Sequence, residues 1–357
     1  MFRVASSPLR RTAAVLAGVT ASALAAEAVL RLFVTSNGPP PPAISRDAVD
    51  LPTVTVREME EGLGTARFST AGARLTGNPP LVDGRTSVII GDSYVVAREV
   101  RDDVTMGAWL ERAARAEHYP LNVRQYGWRG ASPARYVMVA AEVLSRWKPD
   151  AVIVVVSEDD FDEHATGVSY PWFRIDSAGS ATVVPDPKGE PIPQEPPRSV
   201  LATLVIRRRE QILARAPLRV RRLLVPQRPN PLPRPAPDVR ATASTATRDM
   251  VPRAIVRALK GAYGGRLMLI YTAQVRVTGG EQPDLTERRV LDACAEERVS
   301  CASTRQSMLA AREHGSVVRG FSTTTLGVGH LNAEGHRLTG AVIWNLMQPR
   351  LGIMAAK

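Results

Sequence analysis

The chain has 357 residues, 44% hydrophobic and 23% charged, which suits a globular protein with a full core and excludes a disordered or fibrous one. Its net charge is +11, but much of the excess sits in one arginine-rich region, so it says little about the rest of the chain. The two cysteines, Cys294 and Cys301, have no neighbouring histidine, so they do not make a zinc site.

In chain order, an Arg-rich lead (Met1 to Arg11) precedes an uncharged Ala/Val/Leu stretch, Thr12 to Ala26, which Glu27 and Arg31 then interrupt. The uncharged run is shorter than the ~20 residues a comfortable membrane span needs. Lead, short apolar core and the small residues around Ala23 to Ala26 suit an export signal. Val29, Leu30, Leu32 and Phe33 keep an uncleaved signal anchor, a transmembrane helix, in play. Residues 1–36 are therefore expected to be a signal peptide or signal anchor. The rest is expected outside the cytoplasm, either membrane-anchored or free in the periplasm or medium. In such a compartment a Cys294–Cys301 disulfide is permitted.

Residues 37–85 read as a linker, stiffened by Pro39 to Pro42, and an irregular lead-in. A domain at 86–350 follows, with an insertion at about 160–247. Val88-Ile89-Ile90 is a short apolar run, as in a strand buried on both faces. Further strands are expected at Leu121 to Tyr126, Asp150 to Val156 and Leu267 to Tyr271. Helices are expected at Met106 to Ala116, Ala134 to Trp147, Leu285 to Glu297, Ser303 to His314 and Ala333 to Met347. Alternation at this spacing implies βαβ units, hence a parallel sheet with helices on both faces. The insertion is proline-rich at its ends. Arg207 to Arg209 and Arg219 to Arg222 between them suggest basic amphipathic helices for contact with a membrane surface or anionic glycan. A solvated excursion is the plainer reading, and nucleic acid is not an expected partner of an exported chain.

Polar residues gather after the strands. Gly91-Asp92-Ser93 follows the first strand and precedes a helix, so Ser93 lies where open α/β sheets bind ligands. Taken alone, the tripeptide is an ordinary turn with Asp92 or Ser93 as helix N-cap. The second strand is followed by Gly127-Trp128-Arg129-Gly130, the third by Ser157-Glu158-Asp159-Asp160. Near the end stands Gly327-Val328-Gly329-His330-Leu331-Asn332-Ala333-Glu334-Gly335-His336, with Asn332 placed to cap the last helix.

These four blocks, in this order, resemble the SGNH (GDSL-type) esterase superfamily over roughly Ser87 to Met347. The resemblance implies a flavodoxin-like three-layer α/β/α sandwich. It makes Ser93 a nucleophile whose N–H is one oxyanion donor, Gly130 a second donor, and His330 the general base. His336 matches a position with a packing role, and His118, His164 and His314 match nothing. Two departures stand out. Asp159 occupies the third oxyanion position, where the family has asparagine, and an ionised carboxylate cannot donate a hydrogen bond. Gly327 stands where an orienting acid is usual, three residues before His330. That leaves a Ser93–His330 dyad unless a distant carboxylate or a carbonyl orients the ring.

The expected activity is ester hydrolysis, of acetyl esters in the first instance, by a serine acyl-enzyme without cofactor or metal. The substrate is expected to be an ester or an acylated glycan. Two alternatives stay open: an O-acetyltransferase acting on a cell-envelope glycan, and a degenerate SGNH-like binding module, which Asp159 and Gly327 favour.

Overall fold

The computed structural model describes residues 8–33, 52–58, 61–69, 71–162, 171–185, 245–275 and 284–352. The chain divides into two units, and Pro8–Phe33, a 26-residue helix (α1), belongs to the first. No helix among the described residues is long and apolar enough to cross a membrane. The transmembrane reading of the N-terminal segment is therefore not supported: Glu27 and Arg31 break the uncharged run, and Gly, Ser and Thr dilute it.

The second unit is built on a sheet of five parallel strands: β3 (Arg85–Gly91), β4 (Leu121–Gly127), β5 (Ala151–Val156), β8 (Leu267–Tyr271) and β9 (Ser300–Ser303). Their order is β4-β3-β5-β8-β9. Counted among themselves this is 2-1-3-4-5, the flavodoxin-like order, which has its switch point between the first and third strands. β3 runs beside both β4 and β5, with Ile89 opposite Gln125 on one side and Ile153 on the other.

Alternate residues of the central strands feed two cores. Val88, Ile90, Val152, Val154 and Val156 face α4 (Pro133–Met138), α5 (Ala140–Trp147), α7 (Thr245–Tyr263) and α8 (Leu285–Glu296). Ile89, Ile153, Val155, Met268 and Ile270 face α3 (Met106–Ala116), α9 (Arg305–Glu313) and α10 (Ala333–Met347). Both faces are covered, which is why these strands read as continuous apolar runs. The architecture is the three-layer α/β/α sandwich that the resemblance implied.

Several elements differ from expectation. The helix expected at Ala134 to Trp147 is two helices, α4 and α5, that meet at Val139. The fifth strand was not expected, because Ser300–Ser303 is an edge strand of small, half-buried residues with no apolar run. Cys294 on α8 and Cys301 on β9 are joined by a disulfide. The lead-in, expected to be irregular, contains β1 (Pro52–Arg57) and β2 (Thr65–Ser69), paired antiparallel as a hairpin. The start of the insertion holds a second hairpin, β6 (Trp172–Ile175) with β7 (Ala181–Val184). The tetraproline, the arginine clusters at 207–222, the second proline-rich stretch and His164 lie outside the described residues.

Arg74 anchors the lead-in to the domain. Its side chain is fully buried and ion-paired with Asp102. It also donates to the carbonyls of Val96, at 3.2 Å, and Val100, at 2.9 Å. Asp102 in turn pairs with Arg67 of β2. A guanidinium with charged and carbonyl partners on several sides cannot be removed without stranding them. We expect Arg74→Met to lower unfolding free energy by about 3 kcal/mol, read by urea denaturation.

Candidate active site

Gly91 ends β3, and the chain turns at once into a four-residue helix, α2 (Ser93–Val96). Asp92 is its N-cap and accepts the Tyr94 N–H at 2.9 Å, so the ordinary turn reading holds for Asp92. That frees Ser93, at the first helical position, for another partner. Its hydroxyl lies 2.9 Å from His330 Nε2. The histidine comes from the loop before α10, where Asn332 caps the helix by accepting the Glu334 and Gly335 N–H groups at 3.1 Å.

The ring is oriented by a residue that the sequence blocks do not mark. Glu61, in the turn of the β1–β2 hairpin, places one carboxylate oxygen 2.5 Å from His330 Nδ1, while the other accepts the His330 backbone N–H at 3.0 Å. The two residues are 269 positions apart. Two glycines allow the approach. At Gly329, with φ +90°, a Cβ would sit 2.5 Å from the Glu61 carboxylate. At Gly62, with φ +75°, it would sit 2.3 Å from the Glu99 carbonyl oxygen. The hairpin turn is held in place by the Gly62 N–H, which donates to Thr323 Oγ1 at 3.0 Å.

A second carboxylate, that of Glu99 in the loop after α2, lies 3.6 Å from the same Nδ1 and is 3% exposed. Burial alone would make the His330 ring harder to charge. The hydrogen bond to Glu61 and the charges of Glu99 and Glu61 outweigh it, so its pKa stands above the ordinary histidine value. Burial works to raise Glu61, but the bond and charge of His330, with a contribution from Arg129, hold it below the usual carboxylate range. Glu61, Glu99 and His330 bring one ligand atom each within 4.8 Å of one another, close enough to enclose a cation. However, Nδ1 is already committed to Glu61, which is what a general base requires.

Arg319 ties the neighbouring loops together. Buried at 3% exposure, it donates to the Ala273 carbonyl after β8 at 2.9 Å, to the Gly329 carbonyl at 3.2 Å and to Tyr94 Oη at 2.5 Å. The Tyr94 ring meets His330 edge-on, with 5.7 Å between centroids.

Of the expected oxyanion group, Gly130 is exposed in the loop after β4, at φ +65°. Among the described residues neither its N–H nor that of Ser93 is engaged in a backbone hydrogen bond. Arg129 beside it lies 3.6 Å from the buried Glu58 carboxylate, which links this loop to the hairpin. Asp159 opens a short helix, α6 (Asp159–Asp162), and is exposed, close enough for its charge to act on Asp92 and Tyr94. The buried place in that loop belongs instead to Asp160. It accepts the Ser157 N–H at 2.7 Å and approaches Tyr136 Oη at 3.3 Å. Burial, aided by the charge of Asp92, pushes the Asp160 carboxyl well up. His336 is buried in α10 and burial lowers its pKa to about 3, a neutral packing histidine. His314 is exposed, and its Nδ1 lies 2.7 Å from the Ala310 carbonyl. His118 is in the turn after α3.

No family model matches the chain, and neither does any curated protein. Solved structures are similar to it at low identity. A lipase/acylhydrolase from Enterococcus faecalis shares 12% identity, covering 74% of this chain and 96% of that one, with a TM-score of 0.41. A variant of Axe2, an acetyl xylan esterase from Geobacillus stearothermophilus, shares 11%, covering 77% and 97%, at 0.39. TesA shares 12%, covering 74% and 99%, at 0.37. At such values the likeness carries no argument about activity, and the reading rests on the site's own geometry.

A methyl group at position 329 would push against the Glu61 carboxylate. Loss of that bond removes the largest influence holding the His330 pKa up. Gly329→Ala is therefore expected to lower the midpoint of the His330 ring titration, followed by NMR.

Proposed function

We propose that this protein is a serine esterase in which Ser93 attacks the ester carbonyl, His330 is the general base and Glu61 orients the base. The observation that carries the reading is the unbroken Ser93 Oγ–His330 Nε2–Glu61 chain of hydrogen bonds, at 2.9 and 2.5 Å. Nucleophile, base and orienter within reach of one another is the geometry that nucleophilic catalysis needs.

In the forward step the Ser93 oxygen bonds to the acyl carbon while its proton passes to His330 Nε2. Nδ1–H stays on the ring, held toward Glu61, whose negative charge steadies the imidazolium. The carbonyl oxygen becomes an oxyanion, for which the Ser93 and Gly130 N–H groups are the proposed donors. Collapse expels the alcohol, which takes the Nε2 proton, and leaves an acyl-serine. Water then attacks the acyl carbon, losing its proton to His330 Nε2, and as the acyl–oxygen bond breaks that proton passes to the Ser93 oxygen and the acid departs. The supplied acid removes the deficit that Gly327 suggested, and it counts against a degenerate binding module. Short acyl groups, acetyl first, are the proposed substrates. The Cys294–Cys301 disulfide supports an oxidising, exported setting for the enzyme.

The test is release of nitrophenol from p-nitrophenyl acetate. Ser93→Ala is expected to lower kcat by about 10⁴-fold or more, and Glu61→Gln by about 10³- to 10⁴-fold. An active Ser93→Ala overturns the reading. Because the base must be neutral and its pKa is raised, kcat/KM is expected to climb with pH through a midpoint above 6.5, the ordinary histidine value. Asp159 stands where the resemblance has the third donor, so Asp159→Asn, which supplies a donor and removes a charge, is expected to raise kcat about tenfold.

A further inference from the structure

We propose that Glu99 is a second positioning carboxylate of the catalytic histidine, sharing with Glu61 the stabilisation of the imidazolium that forms as Ser93 is acylated. The inference rests on the esterase reading and extends it to a residue outside the hydrogen-bonded chain.

The two carboxylates reach the same nitrogen from different elements. Glu61 comes from the hairpin turn and makes the hydrogen bond. Glu99 comes from the loop after α2, with Oε1 3.6 Å from Nδ1, too far for a hydrogen bond and close enough for its charge to act strongly. Its side chain is 3% exposed, so little water screens the interaction. The loop is not free to move away. Arg74, fully buried, holds the Val96 and Val100 carbonyls on either side of it. Gly62 packs against the Glu99 backbone on the other side.

The charged groups facing Glu99 are His330, Glu61 and Glu58, with Arg129, Arg98 and Arg74 around them. Burial raises the Glu99 pKa, and the charge of His330 is the largest influence opposing that rise. A carboxylate so placed is costly to ionise, and the charged ring is the largest of the influences, Arg129 among them, that offset the cost. Glu61 sets the tautomer. Glu99 adds negative potential that is felt most when the ring is charged, that is, in the transition state rather than in the Michaelis complex. No proton passes to Glu99 at any step; the proton from serine stays on Nε2 until the leaving group takes it.

The test uses Glu99→Gln in the full chain, a change that preserves volume and burial. Two readouts apply: the NMR titration of the His330 ring, and kcat and KM for p-nitrophenyl acetate across pH. Removing the charge takes away a contribution that raises the His330 pKa, so its midpoint is expected to fall by about one pH unit. The acid limb of kcat/KM should move down with it. At neutral pH, kcat should fall by about tenfold with KM unchanged. A purely structural glutamate would change the melting temperature and leave the His330 midpoint where it was, and that result overturns the proposal. If the parent protein shows no ester turnover, the esterase reading fails, while the titration still decides whether Glu99 acts on the ring.

Discussion

The Glu61–His330 hydrogen bond is the contact on which the rest of the site depends. It joins a turn near the start of the described domain to a loop near its end, across 269 residues of sequence. Neither partner belongs to the sheet. The sheet provides the platform, and the carboxyl ends of β3, β4 and β5 deliver Ser93, Gly130 and Asp159 toward one rim. The hairpin supplies the carboxylate that sets the histidine's tautomer and is the largest influence raising its pKa. Ion pairs and carbonyl contacts around Arg74, the Gly62–Thr323 bond and the Arg129–Glu58 pair all hold that closure in place.

Most of the scaffold was legible because it follows from burial. Val88-Ile89-Ile90 and the run from Ala151 to Val156 are apolar at every position since helices cover both faces of the sheet, and that leaves a plain pattern in the chain. The helices Met106–Ala116 and Ala333–Met347 stand where their periodicity placed them. The edge strand Ser300–Ser303 was not legible for the converse reason: at the edge of the sheet and only partly buried, it needs no apolar run. The break at Val139 leaves no mark in the sequence, since its neighbours on both sides keep helical spacing.

The site divides in the same way. Ser93, Gly130, Asp159 and His330 sit in short blocks whose order along the chain carries the resemblance that singles them out. Glu61 and Glu99 sit in no block. Glu61 is one of several acids between Glu58 and Gly62, and nothing within that segment distinguishes it. Its role exists only through folding, in the space that Gly329 leaves open. The departure at Gly327 was the one available sign: if Ser93 and His330 act as proposed, the orienting group has to come from elsewhere in the chain. Arg319 was equally silent, since its function is to bond carbonyls, and any carbonyl serves.

The span of the Glu61–His330 and Ser93–His330 contacts has a consequence for how the proposed activity would be lost. Contacts between distant segments cost more chain entropy to close than neighbouring ones, and peripheral turns open at lower free energy than central strands. The hairpin is therefore expected to open before the sheet and its two cores do. In that partly opened form the protein would keep the sheet and its Ser93–His330 pair but lose the carboxylate that orients the histidine ring. Inactivation would then precede unfolding, and the catalytic state would report on the hairpin's attachment rather than on the stability of the core.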